Sequence, residues 1–258
     1  MRVDDSHCHL DYFAPEEAGD VVARARAAGV GAIVTIGVRV SQAARVKELA
    51  DSLPDVWGTV GVHPHNAHEG PTPEVADLVA LADHPRVVGI GESGLDHHYD
   101  TGPRDAQEES FRRHVRAAQA TGLPLVVHAR EADADIARVL REEREAGGPF
   151  VALLHCYTGG RALAEEVVAH GGYVSFSGIL TFPRSDALRD LAASLPMGRL
   201  LVETDAPYLA PVPHRGRRNE PAYVVRTAEA LARARGETPG AVAEATGENL
   251  RRLFRRMA

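Results

Sequence analysis

Short apolar runs alternate with longer amphipathic segments along almost the whole chain. The runs are rich in β-branched residues, as in Ala-Ile-Val-Thr-Ile at 32–36, which is typical of strands covered on both faces. Strands are predicted at residues 3–9, 32–36, 56–63, 86–92, 125–128, 150–155, 173–177 and 200–205. Elsewhere apolar residues recur at helical spacing, which predicts helices at residues 15–28, 41–53, 73–82, 104–121, 132–146, 161–170, 185–194, 221–235 and 239–256.

Strands that alternate with helices in this way predict a parallel sheet. Eight regular units within 258 residues favour a closed (β/α)8 TIM barrel followed by an additional C-terminal helix. A doubly wound open sheet is the alternative, and the regularity of the units argues against it. The sequence shows no low-complexity segment and no linker, so a single domain is expected over residues 1–258.

The composition is that of an ordinary globular protein. Hydrophobic residues make up 44% of the chain and charged residues 25%, which is enough for a sizeable core. The formal net charge of −7 argues against a nucleic-acid coat protein, but it leaves room for an enzyme with a local basic patch. There is no apolar signal segment, no run of roughly 18 apolar residues, and no disulfide framework from two cysteines. We therefore expect a cytoplasmic protein without membrane contact, with a monomer as the favoured state.

Side chains that can bind metal occupy the C-terminal ends of the predicted strands. They are His7 and His9 for the first strand, His63 and His65 for the third, Glu92 for the fourth, His128 for the fifth, His155 for the sixth and Asp205 for the eighth. A barrel gathers these ends at one mouth, where the active sites of such barrels lie. Imidazole nitrogens and carboxylate oxygens suit zinc, manganese and similar divalent ions. The sequence therefore predicts a catalytic metal centre.

The number of converging ligands favours two metal ions. A single catalytic ion with an open position for water needs fewer ligands, and paired ions commonly share a carboxylate. Glu92, from a middle strand, is the expected bridge. Two-metal barrel hydrolases often use a modified lysine instead, but the only lysine, Lys47, lies in the predicted helix 41–53. Two divalent ions are predicted, and the choice among zinc, magnesium and manganese stays open.

Some residues near these ligands have less specific interpretations. Glu203 lies two residues before Asp205 on the same strand face, and it is either a further ligand or a carboxylate of the barrel interior. The remaining histidines are expected to be solvated or to make local contacts: His68, His84, His97, His98, His114, His170 and His214.

The residues around the predicted ligands match a known family. The matching segments are DSHCHLD at 5–11, GVHPH at 61–65, GESGLD at 91–96, PLVVHARE at 124–131, HCYTG at 155–159, ETDAPYL at 203–209 and GRRNEP at 216–221. In this order, and over nearly the whole chain, they resemble the TatD-type metal-dependent deoxyribonucleases. The chain departs from the usual pattern at Tyr157 and Thr158, where phenylalanine and serine are more common, and at Arg217 and Arg218, where a lysine is common. None of these positions is a predicted ligand.

The resemblance implies a barrel of the amidohydrolase-like superfamily that hydrolyses phosphodiester bonds in DNA, with 3′ to 5′ exonuclease activity. It also implies two metal ions that share one carboxylate. The first ion would be held by His7, His9, Glu92 and Asp205, and the second by Glu92, His128 and His155.

Other residues are predicted to act on the substrate. Asp205 is placed to orient the attacking water and accept its proton, so Asp205 and Glu92 are the predicted catalytic residues. His63 and His65 have no place in the two metal shells and are predicted to hold phosphate. Further positive charge is expected from Arg130 and from the loop residues Arg215, Arg217 and Arg218. Arginine holds phosphate through two parallel hydrogen bonds, which lysine cannot form.

Two other functions stay open on the sequence alone. Water activation by two metals also serves carbonyl carbon, so an amidohydrolase, an esterase, a lactonase or a D-aminoacyl-tRNA deacylase has the same ligand requirements. The histidines at 63 and 65 and the basic loop 215–218 favour phosphate. A barrel that only binds a partner would be expected to have a broken ligand set, whereas this set is complete.

Overall fold

Eight parallel strands surround the centre of the computed structural model, which describes residues 1–99 and 101–257. The strands are β1 (Val3–Cys8), β2 (Val30–Thr35), β3 (Val56–Val60), β4 (Val87–Asp96), β5 (Leu125–Arg130), β6 (Ala152–Leu154), β7 (Tyr173–Phe176) and β8 (Leu200–Val202). Each strand pairs with the next, and a parallel bridge between Cys8 and Ala206 joins the two ends of the sheet. Hydrogen bonds from the His9 N–H to the Ala206 carbonyl (2.7 Å) and from the Asp205 N–H to the His7 carbonyl (2.9 Å) complete this seam. The predicted (β/α)8 barrel is confirmed.

Helices connect the strands on the outside of the barrel. Those of the described residues are α1 (Ala18–Ala27), α2 (Ala43–Ser52), α3 (Val75–Ala82), α4 (Arg104–Thr121), α5 (Asp133–Gly147), α6 (Arg161–Ala169), α7 (Asp186–Ser194), α8 (Val224–Arg235) and α9 (Pro239–Leu253). The additional C-terminal helix is α9, and the Thr238 hydroxyl caps it by accepting the Ala241 N–H. Among these helices, none combines the length and the apolar character that crossing a membrane requires.

The N-terminal end of the barrel is closed by apolar side chains and by the segment after α9. Val88 and Leu201 belong to one buried cluster with Phe254, which follows α9 and is fully buried. Next to it, the Arg256 guanidinium donates to the Val87 carbonyl at the start of β4 (2.7 Å). Because all eight strands are parallel, their polar C-terminal ends lie at the opposite end of the barrel.

Two strands differ from their predicted bounds in a way that matters for the site. β4 continues to Asp96, beyond the predicted end at residue 92, because its last residues pair with β5 as far as Asp96 opposite Arg130. β8 ends at Val202, before the predicted end at residue 205, and Asp205 itself has a φ of 56° that an extended strand does not allow. Asp96 therefore joins the strand ends at the mouth, and Asp205 leaves the sheet.

A buried histidine in α4 holds the segment that leads to His63. His114 Nε2 accepts the backbone N–H of Val62 (2.9 Å), and its Nδ1–H donates to the Ser110 carbonyl (2.7 Å). Burial lowers the pKa of the His114 imidazole to about 4, against the smaller effect of the Ser110 hydrogen bond. The expectation that His114 is solvated or makes only local contacts is wrong, because Val62 lies 52 positions away in the chain.

We expect His114 to make the folded chain less stable in acid. An unfolded imidazole takes up a proton at its ordinary pKa of 6.5, whereas the buried ring stays neutral down to a pKa of about 4. Protons therefore favour the unfolded chain between these two pH values, and up to about 3 kcal/mol of stability is lost as the pH falls. Urea unfolding of wild type and His114→Gln, at neutral pH and near pH 4, measures the difference, since glutamine accepts a hydrogen bond but does not titrate. Equal losses in both proteins would contradict this role of His114.

Candidate metal centre

A cavity of about 1030 Å³ opens at the C-terminal ends of the strands. Its lining includes most of the predicted strand-end residues: His9, His63, His65, Glu92, His128, His155 and Asp205. Arg130 lines it as well, while His7 is fully buried next to it. The structure thus brings the predicted ligands together around one space, at the end of the barrel opposite Phe254.

The first ligand group lies where β1 meets the segment after β8. It consists of His7, His9 and Asp205, together with one oxygen of Glu92. Asp205 Oδ1 is 3.4 Å from His9 Nε2 and 3.6 Å from His7 Nε2. Glu92 Oε2 is 3.4 Å from His7 Nε2. These four residues are the ones predicted to hold the first ion.

The second ligand group lies on the other side of Glu92, whose Oε1 faces three imidazoles. His155 Nε2 is 2.7 Å, His128 Nδ1 2.9 Å and His63 Nε2 3.4 Å from this oxygen. The two oxygens of one carboxylate therefore face different groups of nitrogens, as a bridging ligand requires. Lys47, the only lysine, lies in the outer helix α2.

Backbone contacts place Asp205 beside the first group. Its φ of 56° is a left-handed conformation that aspartate adopts more readily than most residues. Its N–H donates to the His7 carbonyl at 2.9 Å. The preceding Thr204 is held from β1, where the Asp5 carboxyl accepts its N–H at 2.9 Å and contacts its hydroxyl at 2.6 Å. Asp205 is thus fixed to the strand that carries His7.

A glycine allows Glu92 to enter the centre of the barrel. Gly91 has a φ of 120°, which most L-residues avoid, and a Cβ at this position would lie 2.6 Å from the Val126 carbonyl oxygen. The Glu92 N–H donates to the Gly37 carbonyl (3.0 Å), at a point where the pairing of β4 with β5 is irregular. A larger residue at position 91 would displace the central carboxylate from both ligand groups.

The neighbouring imidazoles keep both central carboxylates ionised. Burial alone raises the pKa of Glu92, but contacts with neighbouring histidines, His155 above all, outweigh it and hold the pKa well below its ordinary range. For Asp205, too, burial is outweighed by contacts such as that with His9, and its pKa is lowered. Metal ligands must be deprotonated, and both carboxyl groups satisfy this condition at neutral pH.

Buried nitrogens without partners indicate that these residues suit a metal ion. Within residues 1–99 and 101–257, Nδ1 and Nε2 of His7 and Nδ1 of His9 are buried and have no hydrogen-bond partner, which is costly for polar atoms. Burial also lowers the pKa of His7, so its ring is neutral and can offer a lone pair. Two ligands of a tetrahedral zinc ion, each about 2.0–2.1 Å from the metal, lie about 3.4 Å apart. The separations of 3.4–3.6 Å in the first group match this value.

A single hydrogen bond to the His63 ring identifies Nε2, which lies 3.4 Å from Glu92 Oε1, as its proton-bearing nitrogen. Its Nδ1 accepts the backbone N–H of His65 at 3.1 Å, so this nitrogen carries no proton. Burial holds the pKa of His63 well below its ordinary value despite the attraction of Glu92, so the ring is neutral and its proton lies on Nε2. An N–H group suits a phosphate oxygen better than it suits a metal ion, which is the chemistry of the predicted substrate-binding role.

Asp96 is a site residue that was missed at the level of the sequence. Its Oδ2 contacts His128 Nε2 at 3.0 Å and His65 Nε2 at 2.8 Å, and its Oδ1 accepts two N–H groups of the following turn. A carboxylate behind a metal-binding histidine fixes the ring and its tautomer, so that Nδ1 of His128 faces Glu92. The alternation of side chains along the strand is the sequence pattern that could predict Asp96 as a site residue. Residues 92 and 96 lie on the same face of β4 if the strand continues to residue 96.

Glu203 occupies the corresponding place behind His155. The residue is fully buried, and its Oε1 lies 3.4 Å from His155 Nδ1, while Nε2 of the same ring faces Glu92. Of the two interpretations of Glu203, a further ligand or a carboxylate of the barrel interior, this contact favours the second. His155 and His128 thus each have Glu92 on one side and a second carboxylate on the other.

Replacing Asp96 with asparagine is expected to weaken metal binding about 10- to 100-fold. Asparagine keeps the size and one acceptor oxygen, but it removes the negative charge that holds His128 and His65. Competition with a fluorescent chelator measures the affinity, and thermal unfolding of the metal-free protein checks the fold. Asp105→Asn, at the exposed start of α4, is the matched control. Equal metal affinities of the two variants would contradict a positioning role for Asp96.

The predicted arginines lie in different places. Arg130 lines the cavity at the end of β5, with its guanidinium 4.9 Å from the ring centroid of Tyr99. Arg218 instead forms an ion pair with Glu17 at 3.1 Å. Neither Arg217 nor Arg218 belongs to the cavity lining that the described residues form. The structure therefore gives this arginine pair no place in the cavity, and for Arg218 the ion pair with Glu17 is the physical reason.

Comparison with known sequences agrees with a hydrolytic metal centre. The sequence profile of the family described as "TatD related DNase" matches residues 4–255. The "uncharacterized metal-dependent hydrolase YcfH" of Escherichia coli K12 is 40% identical over 260 residues, covering 98% of this chain and 96% of that protein. The "3′-5′ ssDNA/RNA exonuclease TatD" of Citrobacter rodentium is 38% identical over 242 residues, covering 91% and 90% of the two chains.

Solved structures show the same relationship. The crystal structure of YjjV, a TatD homologue from Escherichia coli K12, matches with a TM-score of 0.89 at 30% identity and covers 98% of both chains. The phosphotriesterase homology protein of Escherichia coli has a TM-score of 0.70 at 16% identity and shares the fold alone. From the barrel, the ligand groups at its mouth and these matches, we conclude that the chain belongs to the TatD-related DNase family and is a metal-dependent hydrolase.

Proposed function

We propose that the protein hydrolyses phosphodiester bonds in DNA as a two-metal deoxyribonuclease that removes nucleotides in the 3′ to 5′ direction. The observation that carries this proposal is a shared carboxylate, Glu92, next to hydrogen-bond donors in the same cavity. His63 offers its Nε2–H and Arg130 its guanidinium, and both donors suit phosphoryl oxygens. The activity named for the Citrobacter rodentium relative supports the same substrate class and polarity.

Two divalent ions are proposed, with zinc, magnesium and manganese as candidates. The first would be held by His7, His9, Glu92 and Asp205, and the second by Glu92, His128 and His155. Such ions lower the pKa of water and neutralise charge on phosphoryl oxygens. Asp96 and Glu203 would keep the imidazoles of the second group oriented toward Glu92.

Asp205 is the proposed proton acceptor. Its carboxylate lines the cavity, and its lowered pKa leaves it ionised at neutral pH. An ionised carboxylate in this position can orient a water molecule and take its proton as the water attacks phosphorus. His63 and Arg130 would meanwhile hold the non-bridging oxygens, which keeps the phosphate in line with the attacking water.

End-labelled single-stranded DNA, double-stranded DNA and RNA, each with added Zn²⁺, Mg²⁺ or Mn²⁺, provide the direct test. We expect the chelated protein to be inactive and added metal to restore stepwise release of nucleotides from the 3′ end. Lactones, acyl esters and an aminoacyl-tRNA are expected to react at least about a hundredfold more slowly. Cleavage by chelated protein would contradict the metal mechanism, and faster hydrolysis of a carboxylic ester would contradict the proposed substrate.

A further inference from the structure

Three tyrosines form an exposed aromatic rim around the mouth of the cavity. Tyr12, Tyr99 and Tyr208 are 37%, 46% and 53% exposed, and all three line the cavity. In the described part of the chain, the other large hydrophobic residues with comparable exposure are not aromatic and lie outside this lining: Met1, Val40, Val151 and Val212. Exposed rings concentrated at one cavity are typical of a binding surface.

One part of the tyrosine rim lies beside the first ligand group. Tyr12 stacks on His9, with ring centroids 5.1 Å apart and an interplanar angle of 17°. Tyr208 meets Tyr12 edge-on at 6.2 Å, and its N–H donates to the Asp205 carbonyl (2.9 Å). Two aromatic side chains are therefore held next to two predicted ligands of the first ion.

The other part of the rim lies beside the second ligand group. Tyr99 is edge-on to His65 at 5.4 Å, and the Arg130 guanidinium lies over its ring at 4.9 Å. His65 is connected through Asp96 to His128, a predicted ligand of the second ion. The aromatic surfaces thus flank the centre on the sides of its two ligand groups.

The charges of the protein's own side chains do not account for binding of a polyanionic strand in this cavity. Glu131 and Asp133 line it together with the central carboxylates, and the chain has a net charge of −7. Arg39 also lines the cavity, but its guanidinium is paired with Glu69 at 2.6 Å. The volume of about 1030 Å³ is at the upper end for small-ligand sites and exceeds what a phosphate group needs. Before the proposed ions are bound, contacts with the nucleosides must therefore supply much of the affinity.

We propose that the tyrosine rim provides two base-stacking subsites that flank the scissile phosphate, an inference that rests on the proposed phosphodiesterase function. Tyr12 and Tyr208 receive one base, and Tyr99 with Arg130 receives the neighbouring base. Every nucleobase has a π-face, so aromatic rings and a guanidinium stack on it without reading the sequence. Bases within a duplex have both faces covered by neighbours, so only unpaired terminal nucleotides can occupy both subsites.

Binding of an oligonucleotide in the presence of a chelator isolates stacking from hydrolysis. The probes are a short single strand with a 5′-fluorescein label and the same strand with abasic sites at its two 3′-terminal positions. Fluorescence anisotropy is expected to give at least about tenfold tighter binding of the base-bearing strand by the wild type. The ratio of the two affinities, base-bearing strand to abasic strand, should fall at least about threefold in Tyr12→Ala, Tyr99→Ala and Tyr208→Ala. It should stay at the wild-type value in the three Tyr→Phe variants, which keep the π-face.

Two further sets of variants control for changes in folding. Tyr→Leu variants at the same positions keep apolar bulk without the π-face. Their affinity ratio should fall as it does in the alanine variants. Tyr223→Ala removes a ring that stacks on His214 at 3.8 Å outside the cavity lining, and it should keep the wild-type ratio. A wild-type ratio near one, or alanine and leucine variants that retain the wild-type ratio, would overturn the stacking subsites.

Cleavage assays with added metal separate this inference from the proposed function. The protein could bind the base-bearing strand more tightly, lose this preference in the alanine variants, and yet cleave no phosphodiester. That result would support the subsites and refute the proposed function. Cleavage of base-bearing and abasic strands at the same rate, combined with equal binding of both, would refute the subsites and leave the function in place.

Discussion

Replacing Glu92 with glutamine is expected to lower kcat/KM by at least about a thousandfold and to remove most of the bound metal. Glutamine keeps the shape of the side chain, but its amide nitrogen cannot serve as the second ligand oxygen. Whichever way the amide turns, either His7 or the pair His128 and His155 then faces a nitrogen. Kinetics on end-labelled DNA and metal content by mass spectrometry, measured on the same sample, test both effects.

Glu131→Gln is the matched control for this experiment. Glu131 also lines the cavity and contacts His98 Nδ1 at 2.6 Å, but its side chain is 64% exposed and belongs to neither ligand group. Because an exposed ion pair contributes little, this variant should keep its metal and its activity within about threefold. Full metal content and normal activity in Glu92→Gln would contradict the bridging role. Metal loss with unchanged activity would contradict metal dependence itself.

The second large effect is expected for Asp205→Asn, which should reduce kcat by about 10²- to 10⁴-fold with little change in affinity for the strand. Asparagine retains the oxygen that faces His9 and tolerates the left-handed backbone at this position. It cannot take a proton from water. Single-turnover kinetics at saturating metal measure the chemical step, and anisotropy with the labelled strand measures binding.

The same substitution at an exposed site distinguishes chemistry from a general effect of lost charge. Asp105→Asn, near the start of α4, should leave kcat and strand affinity unchanged, because Asp105 is exposed and, within the described part of the chain, its carboxylate accepts only the N–H of Ala106. Near-normal turnover of Asp205→Asn at saturating metal would show that another group accepts the proton. A loss of strand affinity as large as the loss of kcat would instead place Asp205 in substrate binding.

The barrel and the position of its polar residues could be predicted because both depend on local patterns. An apolar run with a polar residue at its C-terminal end predicts a strand and the side of the sheet on which that residue lies. In a barrel of parallel strands, the C-terminal ends of all strands lie at the same opening, however far apart they are in the sequence. The rings of His7 and His155 accordingly stack with centroids 3.9 Å apart.

Contacts that depend on register or on tertiary partners could not be predicted in this way. Asp96 reaches the site only because β4 continues along β5, which depends on how the two strands pair. The bond between His114 and Val62 requires the packing of α4 near the end of β3, although His114 fits an ordinary helical pattern. Arg218 is one of several basic residues in its loop, and only the folded chain brings Glu17, 201 positions earlier, within 3.1 Å.

The seam between the first and last strands delays assembly of the predicted first ligand group until late in synthesis. Asp5 and Thr204, whose hydrogen bonds hold Asp205 beside His7, are 199 positions apart. The ribosome releases residues in order, and a contact of this span forms late because the intervening chain must be ordered first. A nascent chain therefore carries an incomplete set of the predicted metal ligands until β8 and the residues after it have emerged. The predicted first ligand group is therefore assembled only after all eight strands have been synthesised.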